Sequence, residues 1–185
     1  MKQPTITERV QAVALLVLDV DGVLTDGSIV YLDDGREMKR FHVRDGSGLK
    51  LWHTAGKQTA VISGRHSPAV SRRAEELGIQ RVIQGCDDKR AGLAEILSAL
   101  RLTPQQVAVI GDDLADVPLF RDCGVAIAVA DACPEARASA DYVTLTRGGQ
   151  GAVREAIEWL LQQQGLWDQL IARYTQTAHG EPNRC

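Results

Sequence analysis

The stretch from Leu15 to Gly27, LLVLDVDGVLTDG, constrains this chain more than any other. Residues 14 to 18 form an unbroken apolar run, which reads as a strand buried on both faces, as in the middle of a parallel sheet. It ends in two carboxylates, Asp19 and Asp21, followed by Gly22. Paired carboxylates at the edge of a core are costly to desolvate unless a cation or a reaction uses them. Open parallel α/β sheets bind their ligands beyond the carboxyl ends of the strands. A polar loop that merely follows a core strand would account for one Asp better than for Asp-Val-Asp-Gly.

The rest of the chain alternates between strand-like and helix-like segments. Short segments rich in apolar and β-branched residues at 58–63, 79–84, 107–111, 125–129 and 142–145 read as further strands. Between them helices are expected from residue 44, with Asp45 or Ser47 as N-cap, and from Ser67-Pro68 to near Gly78. Others are expected from about residue 87 and, briefly, after Pro134, with a short helical turn at Thr103-Pro104. The GGQG run at 148–151 opens a final helix with Ala152, Ile157, Leu160 and Leu161 on one side. Such alternation predicts an α/β fold: a three-layer α/β/α sandwich around a mostly parallel, Rossmann-like sheet.

Residues 28–43 interrupt the pattern. Asp33-Asp34-Gly35 is a turn signal between two β-like runs, so a hairpin is inserted where a first helix would normally begin. Ile29, Val30, Tyr31 and Phe41 are too apolar to be left in water, which puts the hairpin over the site or against a neighbouring subunit. Residues 1–13 read as a polar lead-in with a short helical turn. From Gly165 onward an amphipathic WDQLIARY piece leads into a tail whose end is expected to be disordered. Without an internal repeat or a domain boundary, residues 1–185 are expected to form a single domain.

A net charge of −3 leaves no electrostatic footprint for nucleic acid or an anionic membrane. The longest apolar run is far too short to span a bilayer, and the N-terminus lacks the apolar middle of a signal peptide. Cys86, Cys123, Cys133 and Cys185 show neither CxxC nor metal-ligand spacing, so reduced thiols and a cytoplasmic location are expected.

Several strand ends carry polar groups that belong together chemically. Beside Asp19 and Asp21 stand Ser63, Gly64 and Arg65 after the second core strand and Lys89 at a helix start. Asp112, Asp113 and Asp116 follow the strand at 107–111. Carboxylates, a hydroxyl with free backbone amides and an ammonium suit phosphoryl transfer. Mg²⁺ prefers oxygen ligands and takes one or two carboxylates together with phosphate and water. A carboxylate can act as nucleophile, and the phosphoryl oxygens then need donors and positive charge. An i, i+2 pair on extended chain projects to one side, so Asp19 and Asp21 can address the same phosphate.

DVDGV, ISG, an isolated Lys89 and GDDLAD, in that order, resemble the motifs of the haloacid dehalogenase-like phosphohydrolases. The resemblance implies Asp19 as nucleophile and Asp21 as general acid/base. Mg²⁺ would be held by Asp19, the backbone carbonyl of Asp21 and Asp112, while Ser63, Gly64 and Lys89 bind the phosphoryl oxygens. Asp113 and Asp116 would support the acidic loop. VRDGSG, QGCDDK, GDDLADVP, AVADACP, ADYVT and GGQGAVRE extend the resemblance from Leu15 to about Gly165. They are similar to the 3-deoxy-D-manno-octulosonate 8-phosphate phosphatase family, which acts in lipopolysaccharide synthesis and lacks a large cap. That resemblance implies a homotetramer with hairpins packed near the active sites, and a small sugar-acid phosphate as substrate. Arg44 and Arg65, with His66 beside them and Arg147 at the mouth, are the candidates to meet the substrate's carboxylate. Other readings are a nine-carbon sialic-acid-type 9-phosphate phosphatase and a non-catalytic oligomerisation domain. The four intact motifs argue against the second, and the lack of a cap argues against a phosphomutase or an ATPase.

Overall fold

In the computed structural model residues 4–175 are described. The strands are β1 (Leu15–Leu18), β2 (Val30–Tyr31), β3 (Glu37–Met38), β4 (Gln58–Ser63), β5 (Arg81–Gln84), β6 (Val107–Gly111), β7 (Val125–Ala128) and β8 (Tyr142–Val143). The helices are α1 (Ile6–Ala12), α2 (Val43–Thr54), α3 (Pro68–Leu77), α4 (Lys89–Leu100), α5 (Val117–Asp122), α6 (Pro134–Ser139), α7 (Ala152–Gln163) and α8 (Trp167–Thr175). Six strands pair in the order β5-β4-β1-β6-β7-β8, every pairing parallel.

The unbroken apolar run puts β1 in the middle of the sheet. Leu15 through Leu18 are at most 1% exposed, each flanked by β4 on one side and β6 on the other. Burying side chains of this size stabilises by about 1.5–3 kcal/mol apiece, so the strand that carries Asp19 is firmly held. From β1 the chain moves outward to β4 and β5, then returns to lay β6 against the other edge of β1. Right-handed crossovers therefore put α2 and α3 on one face and α4, α5 and α6 on the other. The contacts agree: α7 packs on α1 and α2, whereas α4, α5 and α6 pack on one another. The reversal of direction beside β1 is the switch point where such sheets open a crevice.

Several boundaries differ from the sequence expectation. The strand expected from 79 begins at Arg81, because the Ile79 amide still bonds the Ala74 carbonyl at 2.9 Å in closing α3. The strand expected at 142–145 stops at Val143. The amides of Leu145 and Thr146 turn instead to the Glu155 carboxylate, at 2.7 and 2.9 Å. Neither Asp45 nor Ser47 caps α2, which begins earlier with His42 at its N-cap. Asp45 lies in the first turn, 1% exposed, and accepts a 2.9 Å bond from the Arg154 amide, so it serves the start of α7.

The hairpin is present but short. Val30 pairs with Met38 and Tyr31 with Glu37 in antiparallel register. Ile29, Val30, Tyr31, Leu32 and Met38 are all exposed. Cys86, Cys123 and Cys133 are free thiols. Among the described residues no helix is long and apolar enough to cross a membrane. The tail expected to be disordered enters α8 first, and its last ten or so positions lie outside the described residues, as does Cys185.

Candidate active site

Beyond the carboxyl ends of β1, β4 and β6 the chain opens a cleft of about 260 Å³. Asp19, Asp21, Ser63, Gly64, Arg65, Lys89, Asp112, Asp113 and Asp116 all line it. Nine of the twelve candidate site residues expected from the sequence are thus brought together. Arg44 is not: it lines a separate cleft with Thr146, Gln150 and Arg154. His66 and Arg147 are exposed and stand outside the cleft lining.

The approach of β1 and β6 depends on glycine. Gly22 has φ +94°, and a Cβ there would fall 2.0 Å from Asp112 Oδ2. A Cβ on Gly111 would fall 2.5 Å from the Asp116 side chain. A larger residue at 22 would push the two carboxylate loops apart, and one at 111 would displace Asp116 within its own loop.

Lys89 stands at the first position of α4 with its ammonium buried. Its Nζ lies 2.9 Å from Asp19 Oδ1 and 2.7 Å from Asp116 Oδ1. Burial favours the neutral amine, but the two carboxylates outweigh it and hold the lysine pKa above its usual value. Asp116 is 1% exposed and fully engaged: its second oxygen accepts from the amides of Asp112 at 2.9 Å and Asp113 at 3.3 Å. Asp116 therefore shapes the acidic loop. Asp113 takes part through its backbone, its residue being exposed.

The remaining carboxylates are crowded. Burial, and next the charge of Asp116, push Asp19 up to about 6 against the pull of Lys89. Asp112 is pushed up to about 8, first by burial and then by Asp19, Asp116 and Asp113. Asp112 Oδ1 is buried without a hydrogen-bond partner among the described residues. One lysine is too little positive charge for this group.

A divalent cation fits the deficit. Asp19, Asp112 and Asp116 each offer a carboxylate oxygen within 4.8 Å of the others. Since both oxygens of Asp116 are committed to Lys89 and to backbone amides, Asp19 and Asp112 are the better donors. An all-oxygen donor set suits a hard ion such as Mg²⁺. The Asp21 carboxylate is not one of these three and pairs with Lys39 instead.

Asp21 belongs to a second charged group that sequence reasoning missed. Lys39, just after β3, pairs its ammonium with Asp21 Oδ1 and lies 2.9 Å from Glu37 Oε1. Its side chain is 1% exposed. Burial pulls its pKa down, but hydrogen bonds to the Asp21 and Glu37 carboxylates win and raise it. Arg65 Nη2 reaches Glu37 Oε2 at 2.8 Å, and Arg65 Nε stands 3.6 Å from Asp21 Oδ2. One signal was available in the sequence: Glu37 and Lys39 are two apart on extended chain and share a face.

Ser63, 2% exposed at the end of β4, accepts a 3.3 Å bond from the Arg65 amide. The turn after β4 is thereby held so that hydroxyl and main chain face the cleft.

A parallel sheet with Asp-x-Asp beyond its central strand, and with hydroxyl, lysine and acidic loop on its neighbours, has the architecture of a haloacid dehalogenase-like hydrolase. A family model of that description matches residues 81–157. The chain is also 42% identical over 166 residues to the 3-deoxy-D-manno-octulosonate 8-phosphate phosphatase of Salmonella typhimurium, covering 90% of this chain and 88% of that one. It belongs to the 3-deoxy-D-manno-octulosonate 8-phosphate phosphatase family.

Solved structures agree. The phosphatase of this name from Moraxella catarrhalis, in complex with magnesium ion, phosphate ion and 3-deoxy-D-manno-octulosonate (KDO), superposes with a TM-score of 0.90 at 42% identity. That match covers 92% of this chain and 98% of that one. The cobalt-bound form from Haemophilus influenzae gives a TM-score of 0.83 at 42% identity, covering 86% and 93%.

Proposed function

We propose that this chain is a Mg²⁺-dependent phosphomonoesterase that hydrolyses 3-deoxy-D-manno-octulosonate 8-phosphate to the free sugar acid and phosphate, in lipopolysaccharide synthesis. The observation that carries the reading is the convergence of Asp19, Asp21, Ser63, Lys89 and Asp112 in one cleft. The relatives' names and the magnesium, phosphate and KDO bound in the Moraxella catarrhalis structure support the substrate and the ion.

Asp19 is the nucleophile. Lys89, 2.9 Å away, favours its ionised form at neutral pH and then neutralises a phosphoryl oxygen. Attack by an Asp19 oxygen forms an oxygen–phosphorus bond and breaks the ester bond, leaving an aspartyl-phosphate. Asp21 gives a proton to the departing sugar oxygen. In the second half it takes a proton from the water that attacks phosphorus and releases Asp19. The Ser63 hydroxyl and the Gly64 amide donate to the phosphoryl oxygens. Held by Asp19, the Asp21 carbonyl and Asp112, Mg²⁺ supplies charge neutralisation and orients the phosphate. Asp116 positions Lys89 and the acidic loop. Arg65, part-exposed at the cleft rim, is the cation proposed to meet the sugar-acid carboxylate.

Residues 1–185 are proposed to act as one phosphatase domain, in the cytoplasm, as a homotetramer. The exposed apolar side chains of Ile29, Val30, Tyr31, Leu32 and Met38 support packing of hairpins between copies. The substrate test is phosphate release with Mg²⁺ from the eight-carbon and nine-carbon sugar-acid phosphates side by side. Preference for the eight-carbon acid is expected. Preference for the nine-carbon acid would overturn the substrate and keep the chemistry, and no release from either would overturn both.

A further inference from the structure

The hairpin does more than present an apolar surface. Its Lys39 ammonium is buried and committed to two carboxylates, one of them Asp21. Glu37, on the same hairpin strand, holds Arg65 at 2.8 Å, and Arg65 approaches the other oxygen of Asp21. A closed ring of alternating charge, Asp21, Lys39, Glu37 and Arg65, therefore joins the hairpin to the cleft.

We propose that Lys39 is a positioning residue for the reaction, which fixes the Asp21 carboxyl so that its proton faces the leaving oxygen. A lysine ammonium only donates, so the Asp21 oxygen it holds, Oδ1, can act only as an acceptor. The transferable proton then has Oδ2 to occupy. Oδ2 is buried, has no hydrogen-bond partner among the described residues, and stands 3.6 Å from Arg65 Nε on the cleft lining. In the first step Asp21 Oδ2–H passes its proton to the sugar oxygen as the phosphorus–oxygen bond breaks, and Asp21 becomes a carboxylate. The Lys39 ammonium keeps its three protons throughout. Glu37 in turn fixes Lys39, whose side chain, just past the end of β3, is more deeply buried than that of Glu37 on the strand.

This inference rests on the phosphatase reading, with Asp21 as acid, and its test separates the two. Sugar phosphates leave as basic alkoxides that need a proton, whereas p-nitrophenolate leaves without one. The first probe is kcat/KM for 3-deoxy-D-manno-octulosonate 8-phosphate and for p-nitrophenyl phosphate in the Mg²⁺-loaded enzyme, which reports steps up to loss of the leaving group. Lys39→Gln should lower the sugar phosphate value by about tenfold or more, a part of the roughly 10²–10⁴-fold that a general acid supplies, and the p-nitrophenyl phosphate value by about threefold at most. Lys39→Arg, which restores a cation that can only donate to Asp21, should recover most of the selective loss, since a glutamine amide can also accept. Asp21→Asn calibrates the assay by showing the full discrimination.

Equal losses on both substrates in Lys39→Gln, or none on either, overturn the positioning role. Absence of discrimination in Asp21→Asn overturns the acid assignment beneath it, and the proposal with it. Should Lys39→Gln fold poorly, Glu37→Gln loosens the same lysine from its far side and should give a smaller loss of the same selectivity. An unselective loss there counts against the proposal as well.

Discussion

Asp112 is a carboxylate that the fold tolerates for function at a cost in stability. In the unfolded chain it titrates near its ordinary value of 3.8; in the folded protein burial and the neighbouring carboxylates push it up to about 8. Between those values the folded state binds more protons than the unfolded state, so the Asp112 contribution to stability falls as pH rises through that window. Below about pH 4 both states are protonated and the cost vanishes. From 3.8 to pH 7 the linkage gives an upper bound of roughly 4 kcal/mol, at about 1.36 kcal/mol per pH unit. Asp112 is only half-buried, so solvent screening brings the expected cost nearer ~2 kcal/mol.

Asp112→Asn removes this cost, and no side-chain hydrogen bond of Asp112 that the substitution would break is found among the described residues. In the presence of EDTA the variant should be more stable than the wild type at pH 7 by about 2 kcal/mol, or several degrees in Tm for a chain of this size. At pH 4.5 the gap should close. With saturating Mg²⁺ the order should narrow or reverse, since the wild type gains RT ln(1 + [Mg²⁺]/Kd) and the variant has lost a ligand. Urea and thermal unfolding at both pH values, with chelator and with Mg²⁺, measure all three quantities. A variant equally or less stable than the wild type at pH 7 in EDTA would refute the electrostatic account of this cleft.

Exhaustive chelation should abolish phosphate release and Mg²⁺ restore it, with Ca²⁺ restoring little because it prefers more ligands at longer distances; full activity after chelation would remove the ion from the reaction. Ile29→Asp combined with Met38→Asp puts charge on two exposed apolar hairpin residues and should lower the mass seen by light scattering toward that of a single chain. An unchanged mass would take the hairpin out of the assembly.

The architecture was legible because its signals are long. Residues 14–18, 58–63 and 107–111 are each long and apolar enough to declare a buried strand, and the strand-end rule then gathers Asp19, Asp21, Ser63 and Asp112 without further information. Lys89 was legible only through the order of motifs, since a lysine opening a helix is ordinary by itself. What stayed hidden depends on tertiary partners. Asp45 has the look of a cap for α2, but its carboxylate serves α7, more than a hundred residues away in sequence. Arg44 belongs to the same turn, so the start of α2 at Val43 carries it toward Thr146 and Arg154 and away from the cleft. The strands β2 and β3 are two residues each, so alternation puts Glu37 and Lys39 on one face without telling whether that face points inward.

That hidden hairpin matters because Asp19 and Asp21 sit two residues apart and must do different things. The fold separates them by giving each its own counter-charge. Asp19 shares Lys89 with Asp116, deep against β6, in a group that remains short of positive charge. Asp21 is drawn outward to Lys39, whose other partner is Glu37, in a group that Arg65 completes. Two carboxylates in one environment would compete for the same proton, and divided environments assign them different roles. The first group can be balanced only by a cation from solution, whereas the second is balanced by the chain itself. The insertion at residues 28–43 supplies that second balance, in a fold without a large cap.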